Sequence, residues 1–191
     1  MNKCNFCKID KKRIENTIIE ETENFYVMPT LGSLVDGYIL IVSKKHINSM
    51  NELSGKEKEE YFNLLSKYYN RFADVYGKNP IVFEHGTTDD TTTASSVIHA
   101  HTHIVNHIYK NQEFMIKNLN LKPISKEIDF ENKSYIFFID NNFNFFISYE
   151  FNPVSQLMRR YIAEDLGLAN MYDWKRYHFI ENLKSTINKL K

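Results

Sequence analysis

The chain has 191 residues, long enough for one full hydrophobic core and short for two. Its 24 basic residues balance 24 acidic ones, so no net charge draws it to nucleic acid or an anionic membrane. A 42% hydrophobic share with 14 Phe and 12 Tyr excludes a disordered chain, and no apolar run approaches the roughly 20 residues that span a bilayer. Cys4 and Cys7 are the two cysteines, spaced C-x-x-C beside a polar and basic N-terminus. That terminus lacks the apolar stretch of a signal peptide, so a cytoplasmic location is the expectation. In a reducing compartment the pair reads as a redox couple or as half of a zinc site. Its place ahead of any strand favours zinc.

Thr17–Glu21 and Phe25–Met28 read as short strands around a polar turn. Pro29 to Gly37 is a loop punctuated by Gly32 and Gly37. Tyr38–Val42 is a continuous apolar run that suits a strand buried on both faces. Ser54 and Glu57 have the spacing of a capping box. Tyr61, Leu64, Leu65, Tyr68, Phe72, Val75 and Tyr76 then recur at helical spacing, up to Gly77 and Pro80. Ile81–Phe83 is a short strand that runs into a turn at Glu84-His85-Gly86. His85 reads there as a substrate-loop residue or, preferably, a locally bonded turn histidine. Thr87 to Ser96, rich in hydroxyls and carboxylates, reads equally as a surface loop or as a phosphate-binding stretch.

Downstream, Lys110–Leu119 is a short helix candidate. Ser134–Ile139 and Phe145–Tyr149 form a hairpin around Asp140-Asn141-Asn142. Pro153 opens a helix that Gly167 closes. Leu157, Tyr161 and Leu166 line its buried side, and Arg159 and Arg160 read as residues that reach a polyphosphate or, preferably, as a solvated helix face. A last helix runs from about Asp173, with Trp174 as an anchor against the core and His178 on the surface. The hairpin-like strands predict an α+β fold: an antiparallel sheet of about five strands, one long helix, and a C-terminal hairpin and helical extension. Residues 1–110 form the core, and 111–191 form an extension packed on the same domain.

Six of the seven histidines fall between positions 46 and 107. In His99-Ala100-His101-Thr102-His103 three of them alternate, and a period of two puts their imidazoles on one strand face. Successive same-face residues are roughly 6.5–7 Å apart, so one metal cannot collect all three and the labour must be divided. His46 and His99 complete Cys4 and Cys7 as a Cys2His2 set, a closed shell that is structural in character. His107 lies past the strand and receives no role.

Three segments together resemble the histidine triad superfamily of nucleotidyl hydrolases and transferases. Cys4-Asn5-Phe6-Cys7-Lys8-Ile9 is similar to its N-terminal zinc half-site. Gly37–His46 is similar to its strand ending in Lys-x-His, with Ser43 where a proline is usual. Ser96–Val105 matches its signature. Phe83–Gly86 and the tail, Ser155–Arg160 with Trp174-Lys175-Arg176, resemble a bacterial branch with a C-terminal extension. The resemblance implies that His101 attacks the α-phosphate of a nucleotide to form a nucleotidyl-imidazole. It implies that His103 contacts phosphate or the leaving group, and that Cys4, Cys7, His46 and His99 bind a structural Zn²⁺. A phosphate-contacting glutamine of the family is replaced here, with Ala94 and Ser95 in place of Gly-Gln, which leaves Ser95 and Ser96 as substrate-binding candidates. Pro29 and Thr30 stand where a ribose-binding acid or amide is usual. The third histidine, often glutamine in transferases, leans the reading to hydrolysis. The expected substrate is a nucleoside polyphosphate, diadenosine polyphosphates included, or a phosphoramidate. The alternative is a nucleotide-binding regulatory module with little or no catalysis. A homodimer is common in the family, and neither nucleic acid nor membrane is expected as a partner.

Overall fold

Tyr38–Ser43 is buried at every residue, and this apolar run stands near the middle of one antiparallel sheet. The computed structural model describes residues 4–88, 97–125 and 130–191. The strands are β1 (Glu20–Glu21), β2 (Phe25–Pro29), β3 (Tyr38–Ser43), β4 (Ile81–Gly86), β5 (His101–Val105), β6 (Lys122–Ile124), β7 (Tyr135–Ile139) and β8 (Phe145–Ser148). The helices are α1 (Gly55–Tyr76), α2 (Gln112–Asn118), α3 (Leu157–Asp165) and α4 (Ile180–Leu190). The sheet runs in the order β1-β2-β3-β5-β4-β7-β8-β6. The α+β class and the long helix are as expected, but among the described residues the sheet has eight strands, not about five. The C-terminal hairpin continues the sheet, because β7 is buried throughout and pairs with β4 from Val82↔Ile139 to Gly86↔Tyr135.

The two sheet faces bury different partners. Ile39, Ile41, Val82, Ile104, Phe137 and Ile139 face α1, whose Tyr61, Leu64, Leu65, Tyr68 and Phe72 fill the first core layer. Glu57 accepts from the Ser54 amide at 2.6 Å and Gly77 ends α1 at φ +71°, so both sequence signals act as expected. Val75 departs from the stripe and is 37% exposed. Tyr38, Leu40, Val42, Ile81, Phe83, Ile136 and Phe138 form the opposite face, covered by Met158, Ile162 and Ala163 of α3.

α3 corrects the expected boundary and face. It starts at Leu157, after Gln156 at φ +60°, four residues beyond Pro153. Met158, Arg159, Ile162 and Ala163 are its buried positions, while Leu157, Tyr161 and Leu166 are half-buried. Arg159 is 5% exposed because its guanidinium satisfies two backbone carbonyls, those of Tyr172 (3.0 Å) and Gly32 (2.7 Å). Gly32 has φ +73°, and a Cβ there would stand 2.6 Å from both Arg159 Nη2 and the Trp174 Cβ, so only glycine permits this approach. The last helix starts at Ile180, not near Asp173; His178 precedes it, exposed, with its carbonyl accepting from the Gly32 amide at 2.9 Å.

Glu84-His85-Gly86, read as a turn, is the end of β4. Glu84 points into the α1 side of the core, where it accepts from the Met50 amide (2.7 Å) and the Tyr135 hydroxyl (2.8 Å). Burial nevertheless pushes its carboxyl up to about 7. A raised carboxyl pKa means the fold retains a proton that the unfolded chain has already lost, so stability falls as pH rises from about 4.5 to about 7. The slope from this group is about 1.4 kcal/mol per pH unit at most. Glu84→Gln is expected to flatten the decline in Tm across that window, as followed by circular dichroism melts; an unchanged pH profile would show that Glu84 is not its source.

Candidate active site and metal centre

β5 lies between β3 and β4, with His103 opposite Leu40 and Phe83, and His101 opposite Val42. Strand alternation sends His101 and His103 to the face away from α1, with ring centroids 4.9 Å apart. His99 precedes the strand and is turned to a different task. Its Nδ1 lies 3.4 Å from Cys4 Sγ, 3.6 Å from Cys7 Sγ and 3.2 Å from His46 Nδ1, and Cys7 Sγ is 3.1 Å from His46 Nδ1. All four ligand atoms lie within 4.8 Å of one another. Tetrahedral bonds of zinc-like length would put such atoms about 3.3–3.8 Å apart, so the donor set fits one ion of that kind. His99 Nε2 donates to the Ser43 carbonyl at 2.6 Å, which leaves Nδ1 bare as a ligand atom. Cys4, Cys7, His46 and His99 are thus brought together as the sequence led one to expect.

The His99 carbonyl takes part in the next contact along the strand. It accepts from His101 Nδ1 at 2.6 Å. A carbonyl can only accept, so Nδ1 carries the proton and Nε2 presents its lone pair. Burial holds the His101 pKa down at about 4, against the opposing pull of that carbonyl bond. The ring is neutral at physiological pH. His103 stacks on Phe83 at 4.3 Å and 12°, and its Nδ1 meets the Tyr38 hydroxyl at 3.0 Å. Burial raises the Tyr38 pKa, so that hydroxyl keeps its proton. The Arg159 guanidinium, 5.5 Å from the Tyr38 ring centre, can only donate. With the hydroxyl proton donated to His103 Nδ1, the ring presents Nε2–H as a donor to the cavity.

A cavity of about 260 Å³ opens over these rings. Its floor is Leu40, Phe83, His85, His101 and His103 from β3, β4 and β5. One wall is the N-terminal segment with Phe6, Lys8 and Arg13, and Phe6 packs against His99 and His101 at 5.5 and 5.3 Å. Pro29, Thr30 and Leu31 close the end of β2, and Gln156, Arg159 and Trp174 come from the C-terminal part of the chain. Trp174 therefore lines the cavity, and Arg159 lies inside it, not on the solvated face assigned from the sequence. Ser95 and Ser96 lie outside the described residues. His107 is buried and ties the end of β5 to α3 through Asp165, 3.1 Å away.

His85 was assigned to a turn and Arg159 to solvent, and both line the cavity. The signal for His85 was available: Phe83 and His85 are two apart, so the residue that stacks on His103 implies a neighbour on the same face. For Arg159 there was no local signal, since its partners at Gly32 and Tyr38 are remote in sequence.

The model of the family described as "Protein similar to CwfJ C-terminal" matches residues 1–119. A curated Bacillus subtilis (strain 168) protein named "Protein hit" is 25% identical over 111 residues, 58% of this chain and 75% of that protein. Among solved structures, a HIT family hydrolase from Clostridium thermocellum is 22% identical with a TM-score of 0.43, over 56% of this chain and 93% of its own. A hypothetical protein from Leishmania major is 23% identical with a TM-score of 0.46, over 56% and 75% of the two chains. With the matched segment carrying the triad and both halves of the donor cluster, the chain belongs to the family of proteins similar to the CwfJ C-terminal region.

Proposed function

We propose that this protein is a nucleotidyl hydrolase that acts on a nucleoside polyphosphate, diadenosine polyphosphates included, or a phosphoramidate. The single observation that carries this reading is the His101 ring: its Nδ1 donates to the His99 carbonyl, so a bare, unprotonated Nε2 is left in a cavity. Nε2 attacks the α-phosphorus, forming an N–P bond as the P–O or P–N bond to the leaving group breaks. His103 Nε2–H hydrogen-bonds to the leaving group, which departs as a phosphate anion or, from a phosphoramidate, takes its proton from solvent. Water then attacks phosphorus and loses a proton to solvent, and the N–P bond breaks, returning its electron pair to His101 Nε2 and releasing the nucleoside monophosphate. Lys8, Arg13 and Arg159 outnumber Asp10 and Glu15 around the cavity, although Arg13 is paired with Glu15, and that surplus of positive charge suits an anionic substrate. Residues 1–110 carry the chemistry, and 111–191 complete the cavity as part of the same domain. Cys4, Cys7, His46 and His99 would hold Zn²⁺, which would tie the N-terminal wall to the residue whose carbonyl orients His101; a set of four protein ligands would serve structure and not substrate binding.

Brief incubation with a nucleotide panel, followed by intact-protein mass spectrometry, is expected to reveal one nucleotidyl adduct. His101→Ala should form none and lose turnover by on the order of a thousandfold or more. Equal turnover by both proteins rejects the nucleophile. Because burial keeps the His101 pKa near 4, the acid limb of kcat/KM is expected well below pH 6.5; a limb at 6.5 would mean an unburied nucleophile.

Protein purified without added metal is expected to hold about one zinc per chain by elemental analysis. Cys7→Ala should lose the metal and lower the Tm. Zinc-free protein with an unchanged Tm in chelator would make the cluster a hydrogen-bonded one.

A further inference from the structure

β4 carries a fourth imidazole to the same cavity. The register of β4 on β5 runs to Phe83↔His103 and Glu84↔Thr102; β4 extends through Gly86, so His85 is the next residue toward the His101 end of β5, and both line the cavity. Phe83 stacks on His103, and His85, two residues further along, shares its face and lines the cavity. Its ring is held edge-on against Phe151, with centroids 5.1 Å apart and planes at 78°. Among the described residues its Nε2 is buried and has no hydrogen-bond partner. A buried ring nitrogen without a partner implies a group that arrives from outside the chain, and the cavity is where such a group arrives.

The geometry of displacement says which atom that is. His101 Nε2 enters in line with the breaking bond, and water later enters from the opposite side. His103 lies further along β5, with its N–H hydrogen-bonded toward the leaving group. His85 lies to the side of His101, on the neighbouring strand, off that line. A donor at that position would meet the equatorial oxygens of a phosphoryl group attacked by His101, where charge develops. It is badly placed to activate water.

We propose that His85 is a further catalytic residue, whose Nε2–H donates to a non-bridging oxygen of the phosphoryl group that His101 attacks. This deepens the proposed function and rests on it for the identity of the nucleophile. The ligand atom is a phosphate oxygen of a nucleotide. His85 thereby supplies, from β4, a donor of the kind that Ser95 is too short to supply as an amide.

The test uses full-length protein with His85→Ala, His85→Gln and His85→Asn, each checked by Tm. Gln places an amide N–H near the position of the ring's Nε2, and Asn near that of Nδ1. The expected result is that Ala and Asn slow nucleotidyl-His101 formation about 10²-fold, read by quenched mass spectrometry, while Gln restores most of the rate. In calorimetry, Ala and Asn should weaken AMP or GMP without changing the affinity of the parent nucleoside. Adduct formation by Ala at the wild-type rate overturns the proposal, as does equal loss in Gln and Asn, which marks a packing role. If Ala does not fold, the Gln and Asn pair decides alone. Wild-type protein that forms no adduct rejects the proposed function; selective loss of monophosphate binding in Asn would then still uphold the phosphate contact. Failure of wild type to bind either monophosphate overturns both.

Discussion

His99 is held at three points, and the site depends on all three. Its Nδ1 belongs to the cluster with Cys4, Cys7 and His46, its Nε2 is bonded to the Ser43 carbonyl, and its own carbonyl orients His101. The first contact ties the N-terminal wall to the sheet, the second locks the entry of β5 to the end of β3, and the third sets a tautomer. One residue therefore couples cavity shape to the protonation pattern of its reactive ring. A shift of His99 would disturb both together, which is why a donor cluster without an open position still matters to chemistry.

The local features of the fold were readable because they are set by near neighbours in sequence. The Ser54–Glu57 cap, the Gly77 stop, the β7–β8 hairpin and the doubly buried β3 all have period or turn signatures. The donor cluster was readable from residue type and spacing. What escaped was set by contacts across the chain. Arg159 looked like a solvated residue because nothing near it in sequence announces the Gly32 carbonyl or the Tyr38 ring. The strand number was underestimated because pairing of β7 with β4 joins residues about fifty positions apart. His85 was misplaced by treating Glu84-His85-Gly86 as punctuation. Glu84, bonded to Met50 and Tyr135, instead carries β4 onward.

The two sheet faces divide stability from chemistry. Toward α1 the sheet presents aliphatic and aromatic side chains with one satisfied carboxyl, and the Tyr61 and Thr102 hydroxyls meet at 2.8 Å. On the other face the same strands present His101, His103 and His85, and the covering layer is built from both ends of the chain. Alternation along β4 and β5 separates these duties residue by residue, so Thr102 serves the core while its two neighbours serve the cavity.

The outer strands of the sheet have a consequence for solubility. Among the described residues β1 is two residues long and β6 is three, and β6 carries Pro123, which has no amide proton. Glu20 and Glu21 on β1 are engaged by Lys67 and Lys44. A sheet of eight strands would otherwise expose two long rows of unpaired backbone groups. Short, charged or proline-bearing rims give a second chain few hydrogen bonds to gain, and so discourage stacking of copies into fibrous aggregates.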